Sequence, residues 1–421
     1  MATTLPWGET LTVTMTLGYL VRKFTLDTSL LDGTDVLDGT LDGVFVEGFV
    51  QSISIVRGRK QQLSNFTAGT CQITLLNDDR RFDPINQDSP YWDVALDQTG
   101  VVPRRNVTVT SGSTVIFYGT ITDIDVSYER TVTNRSTVTI SAADDFVLLA
   151  NAFIGDAFTP TAELSGARVV RILDLPAVNY SATRRTISTG VATLGAYEIS
   201  SSSNVLSYLQ DCATAEQNYC FMSADGYFIF SDRVAAAFNT AAVSFSDVSG
   251  GGVQYTTLSV VYGQELLYNR VQCTTVAVGA TVQISDGVTS QTQYGISTLA
   301  LDTLLLSDDA AAATLAVSLL ARYKDPVYRF DQMDVAINGL SAFNRNAVVG
   351  LDLSDTIGIT RTFSTGSPSS VTQLYNIDGI SHTYTLNSHA MSFQLAVADT
   401  VYALILDDAV FGVLDADNAL G

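Results

Sequence analysis

His382 and His389 are the only imidazoles in the chain, seven residues apart on what reads as neighbouring arms of one hairpin. A histidine-based triad needs a nucleophile placed beside the ring, and no Gly-x-Ser-x-Gly elbow occurs. Surface or hairpin histidines are the reading these two receive. Paired carboxylates for glycoside hydrolysis stay open, because any Asp-rich β protein offers candidates whose separation sequence does not show. Nucleotide chemistry is not expected, since the chain lacks a Gly-rich phosphate loop and has three lysines, Lys23, Lys60 and Lys324. The cysteines Cys71, Cys212, Cys220 and Cys273 lack CxxC spacing and read as buried thiols rather than zinc ligands or a disulfide framework. The acids Asp27, Asp32, Asp35, Asp38 and Asp42, three of them followed by glycine, superficially resemble calcium loops. Neither the EF-hand nor the β-roll pattern is met, so consecutive tight turns in an extended arm is the reading, with calcium the alternative.

Composition narrows the classes further. In 421 residues, 22 Lys and Arg stand against 43 Asp and Glu, a net charge of −21, which argues against gripping nucleic acid through its phosphates. Hydrophobic residues make up 46% and charged ones 15%, too apolar for a disordered polymer. No apolar run reaches the roughly 18 residues of a membrane span. Met1–Leu11 shows no basic stretch leading into an apolar core, so the expectation is a chain made in the cytoplasm without an export signal or membrane anchor.

Most of the mass reads as β. From Arg104 to Ser141, from Leu258 to Ile284 and from Phe330 to Val397, β-branched residues alternate with polar ones, the period of half-buried antiparallel strands. Three helices are expected. Ser203–Gln217 has an apolar stripe through Val205, Leu209 and Cys212; Gly166–Leu175 has another and stops before Pro176. Residues 307–324 form the third, with Ser307 as candidate cap, acids at its start and Arg322 and Lys324 at its end. Tyr219–Met222 and Tyr227–Phe230 flank an Asp225-Gly226 turn, so a small α+β unit spans roughly Asn151 to Arg233.

Two segments echo each other. Phe117–Ile124 with Gly119 leads through a turn to Val138–Ser141 and Asp144; Asn376–Ser381 with Gly379 leads through Asn387-Ser388 to Phe393–Val397 and Asp399. The spacing is loose, and all-β chains generate such echoes without duplication, so both explanations stand. The densest local motif runs from Phe66 to Pro84: a strand opened by Gly69, a turn at Asn77-Asp78-Asp79, then Phe82 set before Asp83-Pro84.

That motif resembles one near the start of minor tail proteins of long-tailed bacteriophages, where an Ala-Gly strand runs into a Leu-x-Asn turn and a Phe/Tyr-Asp-Pro. Further similar landmarks follow in order: Gly166–Leu173, Leu206–Glu216 with Asp225-Gly226 and Phe230–Arg233, Tyr268–Val271, Gln293–Gly295, Ala321–Pro326 and Leu353–Asp355. The resemblance covers about Phe45 to Leu414. It implies a mainly β fold with two tube-like antiparallel β-barrel domains, residues 44–150 and 236–400, around the small α+β domain at 151–235. Terminal arms are expected at 1–43 and 401–421.

The implied role is a non-enzymatic tail-tip hub of the virion without cofactors. Three chains would close a ring of six barrels beneath the sixfold tube, bound to the distal tail protein, the tape measure and the tip fibres or spike. DNA would pass through it without specific binding, past an acidic wall. Gly69, Asn77, Phe82, Pro84, Gly119 and Gly379 are the residues expected to serve assembly. The rivals are a distal tail ring protein, needing one such domain per chain, and a carbohydrate-binding or cell-wall-cleaving protein using Tyr91-Trp92 and Tyr219–Tyr227.

Overall fold

Alternation sets the architecture. In Thr10–Met15 every second side chain is buried, and the same period runs through Thr67–Leu76 and Ser136–Ala143, so each strand has one core face and one solvent face. The computed structural model describes residues 3–17, 44–94, 97–129, 136–231, 240–398, 402–403 and 418–419. The Asp27–Gly43 segment, Asp232-Arg233, Asp399 and nearly all of residues 401–421 lie outside the described residues, and with them the calcium expectation and the C-terminal arm. Of the N-terminal arm expected at 1–43, Thr10–Met15 is instead a half-buried strand of the main sheet, paired with Asn106–Ser111.

The fold is mainly β and built on one curled sheet of fourteen strands. Twelve of these form two sets of six. The first set is β1 (Thr10–Met15), β2 (Val50–Gly58), β3 (Thr67–Leu76), β4 (Asn106–Ser111), β5 (Thr114–Tyr128) and β6 (Ser136–Ala143). The second is β7 (Val243–Ser246), β8 (Thr257–Val261), β9 (Arg329–Ala336), β10 (Thr356–Thr362), β11 (Ser370–Thr385) and β12 (Ser388–Val397).

Their neighbours run β1-β4-β5-β6-β3-β2 and β7-β10-β11-β12-β9-β8. In both sets the spatial order is first, fourth, fifth, sixth, third, second. The fifth strand is the longest of each set, and its hairpin with the sixth carries one register shift in each. A repeated order of six strands is far more specific than the loose echo of Gly119 and Gly379, and duplication is its direct explanation. One difference stands: β1 meets β4 antiparallel, whereas β7 meets β10 parallel.

Between β2 and β3 the chain turns within residues 59–66, but between β8 and β9 it inserts a three-stranded sheet, Arg270–Thr275, Gln283–Asp286 and Thr298–Leu304. Helix Asp309–Tyr323 packs on that sheet. Asp308 rather than Ser307 caps this helix: its extended backbone lets Oδ1 accept from the Ala311 amide at 2.9 Å, while the Ser307 hydroxyl donates to Asp308. Helices Ser165–Leu173 and Val205–Glu216 pack against each other beside the sheet of Arg185–Ile187, Cys220–Met222 and Phe228–Phe230. Asn204 caps the second of them by accepting from the Ser207 amide.

The two sets fuse where β2 pairs with β11. Residues 370–376 of β11 pair with β10, and residues 379–385 pair with β2, so the strand changes partner within three residues. Gly58 faces Gly379 at that crossing with φ +99°, and a Cβ there would lie 2.3 Å from the Asp378 carbonyl oxygen. Gly58→Ala is expected to cost more than about 3 kcal/mol in urea unfolding. Gly112→Ala, at φ +60° with open space around it, should cost only about 1 kcal/mol of backbone strain; equal losses would show that the crossing tolerates the side chain.

Candidate functional site

The crossing brings the three parts of the chain together. Arg59, just past β2, grips Asp378 with two hydrogen bonds of 2.9 and 3.1 Å, and its backbone amide donates to the Asp378 carbonyl. Its guanidinium also lies over the rings of Phe66 and Tyr219. Buried Arg57 reaches Asp352 of the second set at 2.8 Å and the Met222 carbonyl of the α+β unit at 2.8 Å. Arg57 thereby ties both the second set and the α+β unit to β2.

Gly69 sits beside this cluster, where a Cβ would lie 3.0 Å from Arg57 Cγ and 2.7 Å from Asp144 Oδ2, the oxygen that accepts from the Gly69 amide at 2.6 Å. Burial pushes the Asp144 carboxyl up to about 7, against the pull of the Gly69 and Phe146 amides. Gly119 passes under Ala143, where a Cβ would meet the Ala143 carbonyl oxygen at 2.4 Å. The three predicted glycines thus mark one end of the sheet, Gly119 and Gly379 where backbones approach closely and Gly69 where the Asp144 carboxylate and the Arg57 side chain leave no room for a Cβ.

Asn77, Phe82 and Pro84 lie at the other end of β3, so the six expected assembly residues form two groups. Asn77 is fully buried; its Oδ1 accepts from the Phe82 amide at 2.9 Å and its Nδ2 donates to Ser136 Oγ. Phe82 fills the space between Phe49 and Tyr91, with ring centroids 5.6 and 5.8 Å away. Asp83 binds Arg80 at 2.7 Å and the Tyr128 hydroxyl at 2.5 Å, tying the loop to β5, and Pro84 follows half-buried.

The histidines are not on the surface: His382 is 2% and His389 0% exposed. His389 Nδ1 lies 3.1 Å from Glu9 Oε2, and its Nε2 lies 3.2 Å from His382 Nδ1. Glu9 also accepts from Ser111 at 2.5 Å, Tyr384 at 2.7 Å and Trp7 at 2.8 Å. Burial alone would raise the Glu9 carboxyl; the bonds from His389, Ser111 and Trp7 overcome it and hold it at about 2. Arg345 donates to the carbonyls of Trp7 and Gly8. The Ser111 hydroxyl serves the carboxylate rather than an imidazole, so no activated nucleophile results. Local sequence carried no signal for this cluster, whose members are separated by up to 380 residues.

Opposite the core, the sheet presents a continuous polar face. One cross-strand row reads Asp125, Thr139, Thr74, Ser52, Thr385, Ser388, and the next Asp123, Ser141, Gln72, Ser54, Thr383, Ala390. A third, from Thr70 to Asp334 through Val56, Ser381 and Ser392, crosses from one set into the other. No residue of these rows is buried, and none is Lys or Arg.

Neither a family model nor a curated protein matches the sequence. Among solved structures, the chain is similar in fold to the 43 kDa tail protein of prophage MuSo2 from Shewanella oneidensis, with TM-score 0.58, 11% identity, and coverage of 93% of this chain and 99% of that one. It is also similar to the tail protein from Neisseria meningitidis MC58, with TM-score 0.59, 9% identity, and coverage of 91% and 96%. Both likenesses run over nearly the whole length of each partner. Removing the Asn77 side chain (Asn77→Ala) should cost about 2 kcal/mol, and Tyr128→Phe about 1 kcal/mol, in denaturant unfolding; unchanged midpoints would mean that the loop is not held by these bonds.

Proposed function

We propose that the chain is a non-enzymatic structural protein of a bacteriophage tail tip, a hub ring of three copies that joins a sixfold tube to threefold tip proteins in the virion. The observation that carries this reading is the repeated strand order: two equivalent six-stranded sets per chain give a trimer six near-equivalent positions. The full-length likeness in fold to two tail proteins supports the setting. Its neighbours in that setting are the distal tail protein, the tape measure and the fibres or spike. A distal ring of six chains needs only one such set per chain, so the duplication weighs against it.

The polar face supports passage of DNA. A wall of Ser, Thr and Gln with Asp123, Asp125 and Asp334, and without cations along its rows, offers phosphates nothing to neutralise them. The carbohydrate-binding alternative loses its aromatics to the interior: Tyr91 stacks on Phe82, and Phe221 is buried against Phe66. Tyr227 alone of the proposed set is more than a third exposed.

Light scattering on the purified chain over a tenfold concentration range should give the mass of three chains; six would favour the distal ring. A monomer in solution would be followed on assembled virions, where a ring of other than three copies would refute the reading. Ser54→Lys with Thr383→Lys, neighbours across β2 and β11, should make the protein bind duplex DNA at about 50 mM salt and release it by about 200 mM. The unsubstituted protein should not bind at either concentration; if it does, the passive-wall reading fails.

A further inference from the structure

The buried cluster around Glu9 closes the curled sheet. Glu9 precedes β1, whereas His382, Tyr384 and His389 belong to the β11–β12 hairpin, and the sheet path between β1 and β11 runs through five other strands. The turn at Leu5–Glu9, closed by the Leu5 amide on the Glu9 carbonyl, is brought against that hairpin by side-chain bonds.

The hydrogen-bond geometry fixes where the protons sit. A carboxylate only accepts, and Trp7, Ser111 and Tyr384 already donate to Glu9, so His389 Nδ1 carries a hydrogen toward it. In the neutral ring His389 Nε2 is then a lone pair, which requires His382 Nδ1 to be the donor across 3.2 Å. One proton can be added beside the Glu9 carboxylate if His382 changes tautomer. A second makes both facing nitrogens donors and sets two cations against each other.

We propose that this seam is an acid-released latch: two neutral imidazoles bridge the N-terminal turn to the β11–β12 hairpin, and protonation of the pair frees that turn while the remainder of the sheet stays folded. The charged and titratable groups facing the pair are Glu9 from the N-terminal turn, Arg57 from β2, Tyr384 from β11 and Arg345 from the helix Ala342–Val349. Glu9 is the single carboxylate among them. Burial, reinforced for His382 by His389 and Arg57, lowers both imidazoles, His382 well below its ordinary value. At these two rings the unfolded chain therefore binds more protons below about pH 6.5, and the seam loses stability as pH falls from there.

Because the chain has two histidines, selective ¹⁵N-histidine labelling of the full-length protein reads both rings without any substitution. Both should stay neutral where an ordinary imidazole has already taken up its proton, and at lower pH they should take up protons together with a red shift of Trp7 emission, read in a Trp92→Phe background, at constant far-UV circular dichroism. In His382→Gln, which cannot become a second cation, the Trp7 transition should move down by at least one pH unit. Ordinary ring titration near 6.5 with Trp7 unmoved would overturn the latch. So would a Trp7 change that coincides with global unfolding, or one that His382→Gln leaves in place.

Discussion

The change of partner along β11 is the constraint from which the arrangement of this chain follows. One strand serves two neighbours on the same edge: β10 inside its own set, then β2 of the other. Backbones can approach that closely only where Cβ atoms are missing, at Gly58 and Gly379. The carboxylate of Asp378 between them takes the Arg59 guanidinium, so the crossing is fixed by sterics and by a directed ion pair together. Without it the two sets of strands would be separate sheets.

Duplication and asymmetry follow from the same frame. Equivalent strand order gives each chain two similar surfaces, while the insertion between β8 and β9 belongs to the second set alone. The α+β unit is tied into the crossing through the Met222 carbonyl on Arg57 and the Ala224 amide on Asp352. Solvent-face rows continue from one set into the next because pairing of β2 with β11 keeps the pleat in phase: Ser54 stands opposite Thr383 and Ser52 opposite Thr385.

The polar chemistry of the chain divides by depth. Carboxylates on the solvent face, such as Asp123 and Asp125, meet water, whereas the buried carboxylate of Glu9 has donors on both oxygens. Asp144 differs from Glu9 in its donors: two backbone amides do not offset its desolvation, and its carboxyl titrates near neutrality. Burial is common to both, and the number and kind of donors sets the sign of the shift.

What sequence determined by itself was local. Period-two alternation located the strands, the apolar stripe through Val205, Leu209 and Cys212 located the helix Val205–Glu216, and Asp225-Gly226 located the hairpin after it, because each of these depends on neighbours a few residues away. The spacing of Gly119 and Gly379 suggested a repeat without establishing one. Tertiary structure decided the rest: that both sets share one strand order, that His382 and His389 are interior, and that Glu9, Ser111 and Arg345 join them. Strand order and burial are properties of long-range pairing, and a sequence pattern reports which face of a strand is apolar but not which strand lies beside it.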